Sequence, residues 1–127
     1  MLGLYIHIPF CVQKCKYCDF NSYKMIVNEK DRFLSDLKKE MALYKNKDRK
    51  INSIFFGGGT PSILNNNDMQ FIMDEIKENF SIDEDAEISM ECNPGTLTED
   101  KRKFMRSIGV NRLSIGLQAV QENLLRY

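Results

Sequence analysis

Short apolar runs alternate with amphipathic helical stripes along nearly the whole chain, and this alternation restricts the fold more than any other feature of the sequence. Residues 4–8 are apolar and end at Pro9. Over residues 28–45, Phe33, Leu34, Leu37, Met41 and Tyr44 recur at helical spacing, which predicts an amphipathic helix. Residues 51–56 read as a strand ending at "GGGTP". Residues 68–80 carry Met69, Ile72, Met73, Ile76 and Phe80 on one helical stripe, with Asn67 as candidate cap. Residues 87–92 form a third strand closed by "NPGT", and Thr98 caps a helix that runs to Ser107 and ends at Gly109. Residues 110–117 form a fourth strand, and a further helix starts near Gln121. Strands separated by helices in this way predict consecutive βαβ units, an α/β class and a parallel sheet.

Strand parity sharpens the expectation. Ile88, Met90 and Cys92 share one face of the third strand, and Glu87, Ser89 and Glu91 the other. Leu4, Ile6 and Ile8 likewise oppose Tyr5 and His7 in the first strand, and Leu113, Ile115 and Leu117 oppose Arg112, Ser114 and Gly116 in the fourth. One sheet face is therefore apolar and suited to helices, while the other turns polar toward the strand C-termini. Parallel α/β folds bind ligands at those carboxyl ends. "PFCVQKC", "GGGTP", "ECNPG" and "GLQ" all fall there.

The chain has 127 residues, a size for one domain, and its 43% hydrophobic and 28% charged residues are those of a folded chain. Eighteen basic and eighteen acidic side chains cancel, so no global field attracts nucleic acid or anionic lipid. The basic residues between positions 38 and 50 are interleaved with Glu40 and Asp48 and read as a solvated helix end. The first apolar run lacks a charged leader and stops at Pro9, so it predicts neither a secretory signal nor a membrane span, and the cytosol is the default location.

Three of the four cysteines stand in "YIHIPFCVQKCKYCDF" with C-x3-C-x2-C spacing. In a reducing compartment such a triplet reads as metal binding. Two uses stay open. A closed Cys3His zinc site would recruit His7, the single histidine, from around Pro9. An iron–sulfur cluster held by three thiolates would instead keep one iron free for an exchangeable ligand.

The triplet after a first strand, with an aromatic residue before the last cysteine, resembles the radical S-adenosylmethionine (SAM) superfamily. "YIHIPFC", "FFGGGTPS", "ECNPGTL" and "GVNRLSIGLQ", in that order, resemble more narrowly the oxygen-independent coproporphyrinogen oxidase group, which includes radical-SAM heme chaperones. The likeness runs from Leu4 to about Leu125. It implies the N-terminal portion of a (β/α)6 partial barrel, with 1–127 as an incomplete core domain that lacks the later strands and a C-terminal domain. It further implies a 4Fe-4S cluster whose free iron chelates SAM, and reductive cleavage of SAM to a 5′-deoxyadenosyl radical.

Carried over position by position, the resemblance makes Cys11, Cys15 and Cys18 the cluster ligands. Tyr5 becomes a SAM contact, Gly58 the contact to the SAM amino group, and Glu91 the acceptor for the ribose hydroxyls. Tyr17, Gly59, Thr60 and Gln118 match contacts to a second SAM, although Tyr17 also reads as an aromatic cover over the cluster. His7 reads either as an outer-shell group or as a satisfied core histidine. Cys92 points toward the helices as a buried thiol, outside the ligand set. Met69 and Met73 are core residues.

The coproporphyrinogen oxidases carry a further cysteine two positions after the third ligand and an N-terminal extension. Here that position is Phe20, and the first strand begins within four residues. Both departures favour a heme chaperone over a coproporphyrinogen dehydrogenase. Heme or a porphyrinogen and an electron donor are the implied partners, and the isolated piece is expected to be inactive, with an unpaired sheet edge.

Overall fold

A computed structural model describes residues 2–11, 23–24 and 27–115. In chain order these form β1 (Gly3–Ile8), β2 (Phe10–Cys11), β3 (Tyr23–Lys24), α1 (Val27–Leu43), β4 (Asn46–Gly58), α2 (Asn66–Asn79), β5 (Phe80–Cys92), α3 (Glu99–Ser107) and β6 (Arg112–Ile115). Four strands make one sheet in the order β1-β4-β5-β6, and every pairing in it is parallel. Each crossover within this four-stranded sheet carries a helix, as an α/β fold requires.

The expected parity holds. Ile6 and Ile8 of β1, Ile54 and Phe56 of β4, and Ile88, Met90 and Cys92 of β5 are buried in one apolar cluster. Met69, Ile72, Met73 and Ile76 of α2 close over them, joined by Leu34 and Met41 of α1 and Met105 of α3. Burying a side chain of this size contributes about 1.5–3 kcal/mol, so this single layer of helices on sheet is the main source of stability. The opposite sheet face carries Tyr5, His7, Phe55, Ser89 and Glu91.

Several boundaries differ from expectation. β4 starts at Asn46 and β5 at Phe80, so both strands begin several residues before their apolar runs. Asn46 pairs with Phe80 and Lys50 with Ser81, with shifts in register before Ser53 meets Glu87. α1 ends at Leu43, which leaves Tyr44 exposed instead of on the helical stripe. The cap of α2 is Asn65, whose side chain accepts a hydrogen bond from the Asp68 amide at 2.8 Å, and the helix therefore starts ahead of Asn67. Thr98 caps α3 as expected, accepting from the Lys101 amide. β6 is described from Arg112 to Ile115; Leu113 packs on the core while Ile115 is exposed. The expected helix near Gln121 lies outside the described residues.

Candidate functional site

The register brings two rows of polar-face residues together at the C-terminal ends of β1, β4 and β5. Tyr5 lies opposite Phe55, which lies opposite Ser89. One pleat further on, His7 lies opposite Gly57, and Glu91 follows on β5. The Tyr5 hydroxyl is 3.1 Å from His7 Nδ1. Its ring stacks on Phe55 with centroids 5.9 Å apart and an interplanar angle of 18°.

Gly57 stands at the centre of this group. A Cβ placed there would meet Phe55 Cε1 at 2.8 Å, and Glu91 Oε1 and the Tyr5 hydroxyl at 2.9 Å each. The missing side chain thus lets a phenol, a carboxylate and an aromatic edge converge on the Gly57 backbone. Such a group suits a polar ligand that donates hydrogen bonds to the carboxylate and lays an apolar portion on a ring.

Backbone contacts hold the glycine loop in place. The Gly59 amide donates to the Ile8 carbonyl and the Thr60 amide to the Phe10 carbonyl, both at 2.7 Å. Gly58 has φ +108°, and a Cβ on it would come within 2.6 Å of the Ile8 carbonyl oxygen and 2.9 Å of His7 Cε1. A side chain on Gly59 would collide with the Phe10 backbone. These two glycines therefore let the loop press against β1 and the entry to the cysteine segment, whereas Gly57 lies under the Tyr5, Phe55 and Glu91 side chains.

Burial pushes the Glu91 carboxyl above its ordinary range, and the nearby His7 partly opposes this. The Tyr5 phenol is also pushed up, first by burial and then by the negative charge of Glu91. Cys92, on the opposite face, is buried with its thiol raised chiefly by desolvation. Its side chain lies away from the Tyr5, Gly57 and Glu91 group, as strand parity requires.

Of the residues singled out in the sequence, Tyr5, Gly58, Gly59, Thr60 and Glu91 meet at this end of the sheet. The backbone of Cys11 belongs to β2 and pairs with Lys24. Cys15, Tyr17, Cys18 and Gln118 lie outside the described residues. Sequence reasoning missed Phe55 and Gly57. Phe55 sits inside the apolar run "SIFF" and looks like core until its parity against Ile54 and Phe56 is counted; Gly57 is masked by the two glycines that follow it.

Residues 5–127 match the family profile of the Radical SAM superfamily. The chain belongs to that superfamily. Among radical SAM relatives it is 49% identical to the heme chaperone HemW of Buchnera aphidicola subsp. Schizaphis graminum and 45% identical to that of Escherichia coli (strain K12). Each match covers 98% of this chain and 34% of the relative. The chain thus spans about a third of the curated relatives it matches. Among solved structures it superposes on the radical SAM enzyme coproporphyrinogen III oxidase (HemN) from Escherichia coli with a TM-score of 0.91 and 33% identity. That superposition covers 99% of this chain and 31% of the other. The parallel α/β sheet described above is accordingly part of a radical SAM core.

Proposed function

We propose that this chain is the first part of a radical SAM core that binds a 4Fe-4S cluster and SAM, in a heme chaperone related to oxygen-independent coproporphyrinogen III oxidase. The carrying observation is the convergence of Tyr5, Phe55 and Glu91 on Gly57 at the ends of parallel strands, adjoining the strand that contains Cys11. This group fits an adenosyl ligand: Glu91 accepts the ribose hydroxyls, Tyr5 and Phe55 flank it, and Gly58 contacts the SAM amino group. Cys11, Cys15 and Cys18 are the proposed cluster ligands, and the cluster supplies the electron for reductive SAM cleavage.

Similarity to heme chaperones at 45% and 49% identity supports heme as the cargo. Phe20, in the place of the oxidases' further cysteine, supports the same choice. The likeness to coproporphyrinogen III oxidase keeps anaerobic porphyrinogen oxidation as the second reading. A Cys3His zinc site gains no support, since His7 is engaged with the Tyr5 hydroxyl.

The test is anaerobic reconstitution of the full-length protein with iron and sulfide. The expected result is a brown protein whose cluster EPR signal changes when SAM is added. Heme titration should then give stoichiometric binding, while coproporphyrinogen with SAM and reductant should not turn over. Formation of protoporphyrinogen would replace the chaperone reading with the oxidase one.

A further inference from the structure

Backbone pairing between β4 and β5 ends at Phe56 and Met90, one residue before Gly57 and Glu91. Beyond that point Gly57 is paired only with β1 and Glu91 only with β6, so no ladder pairing joins the two directly. Both strands leave the sheet into matching proline-led 3₁₀ turns, Pro61–Ile63 after β4 and Pro94–Thr96 after β5. One side chain joins the turns. Ser62 is fully buried at 0% exposure. Its hydroxyl oxygen accepts from the Asn93 amide at 3.4 Å and makes a short contact with the Thr96 hydroxyl.

Proton inventory assigns the direction of that contact. The Thr96 hydroxyl donates to the Asn93 carbonyl at 2.8 Å, so the Ser62 hydroxyl donates to Thr96. Ser62 therefore spends its one proton and an acceptor position on the turn that follows Glu91. The Asn93 side chain stiffens that turn by accepting from the Gly95 amide at 2.8 Å.

The geometry points to Ser62 as a positioning residue that sets the separation of Gly57 from the Glu91 carboxylate, and so sets affinity for the adenosyl ligand. This rests on the SAM-binding reading above. Ser62 touches no ligand in this scheme; it acts by holding two loops at one spacing. Removing its hydroxyl takes away the acceptor of the Asn93 amide and the donor to the Thr96 hydroxyl, and the turns are then free to drift apart.

The test uses full-length protein reconstituted with its cluster, comparing wild type with Ser62→Ala, Thr96→Val and the double variant. Iron content should stay at the wild-type level in all of them, because the cysteines are on another segment. SAM affinity should fall about 5- to 10-fold in each single variant, the scale of one net hydrogen bond. The double variant should lose little more, since both changes break one contact. Ser62→Thr, which keeps the hydroxyl, should restore most of the affinity. Variants that bind SAM within twofold of wild type, even with a lowered melting temperature, would show that Ser62 is only structural and overturn the inference while the SAM reading stands. A wild-type protein that takes up the cluster but does not bind SAM overturns both.

Discussion

Lys30 and Asp68 form a buried ion pair, with Lys30 Nζ 2.9 Å from Asp68 Oδ2 and both side chains only 10% exposed. The pair ties the first turn of α1, the helix after the cysteine segment, to the first turn of α2, the helix after the glycine loop. Asp68 gains from the helix N-terminus beneath it, whereas Lys30 sits at the unfavourable end of its own helix and relies on Asp68. Removing one partner strands the other charge. Asp68→Ala or Lys30→Met should each cost about 3–5 kcal/mol, while the apolar double replacement Lys30→Met with Asp68→Leu should cost far less. Urea unfolding of the four proteins checks this, and a single-variant loss below about 1 kcal/mol would mean the pair behaves like an exposed one.

Adjacent glycines should respond differently to alanine. At Gly57 the new methyl meets the ends of the Tyr5, Glu91 and Phe55 side chains, which can swing aside. Gly57→Ala should therefore keep the fold and lower SAM affinity by about tenfold or more, by displacing Tyr5, Phe55 and Glu91. At Gly58 the methyl meets backbone at the Ile8 carbonyl, and φ is +108°. Gly58→Ala should destabilise the protein itself by about 1–3 kcal/mol. Paired SAM titrations and thermal melts separate the two outcomes; equal melting losses at both positions would refute the assignment of Gly57 to the ligand site.

What the sequence made legible follows from where its signals are strong. Alternating residues from Glu87 to Cys92 carry unlike side chains, so their faces and the polar-face position of Glu91 can be counted directly. The first residues of β4 are exposed and charged, "NKDRK", and such residues have no alternation to reveal a strand; pairing with β5 makes them one. In "NNND" three asparagines compete as caps, and only the hydrogen bond to the Asp68 amide selects Asn65. The tie between Ser62 and Thr96 spans turns far apart in sequence, and no local pattern encodes it.

Glu91 should give the site a pH dependence of defined sign. Its folded-state pKa is raised by burial, so the folded protein holds a proton that the unfolded chain releases earlier. Stability from this group is present below the ordinary value of 4.5 and falls as pH rises through the elevated folded value. Glu91→Gln should remove that decline, so its unfolding midpoint relative to wild type should rise with pH across the window and then level off. Ribose hydroxyls favour the ionised carboxylate, so wild-type SAM affinity should increase with pH over the same window, and that of Glu91→Gln should be weak and flat. A wild-type affinity independent of pH would count against Glu91 as the acceptor.

Cys92 and the cysteine triplet should part company in a single experiment. Cys92 is a free thiol buried on the helix face, and burial raises its pKa, which suppresses the reactive thiolate. Its own strand turns the Glu91 side chain the other way, toward Gly57 and Tyr5. Cys92→Ala should therefore cost about 1 kcal/mol of stability and leave iron content unchanged after reconstitution. The Cys11→Ala, Cys15→Ala, Cys18→Ala triple variant should retain almost no iron. Folded wild-type protein with its cluster intact should also resist alkylation at Cys92 until denaturant is added. Loss of iron in Cys92→Ala, with the fold intact by circular dichroism, would make Cys92 a ligand and would require the cluster to reach the opposite face of the sheet.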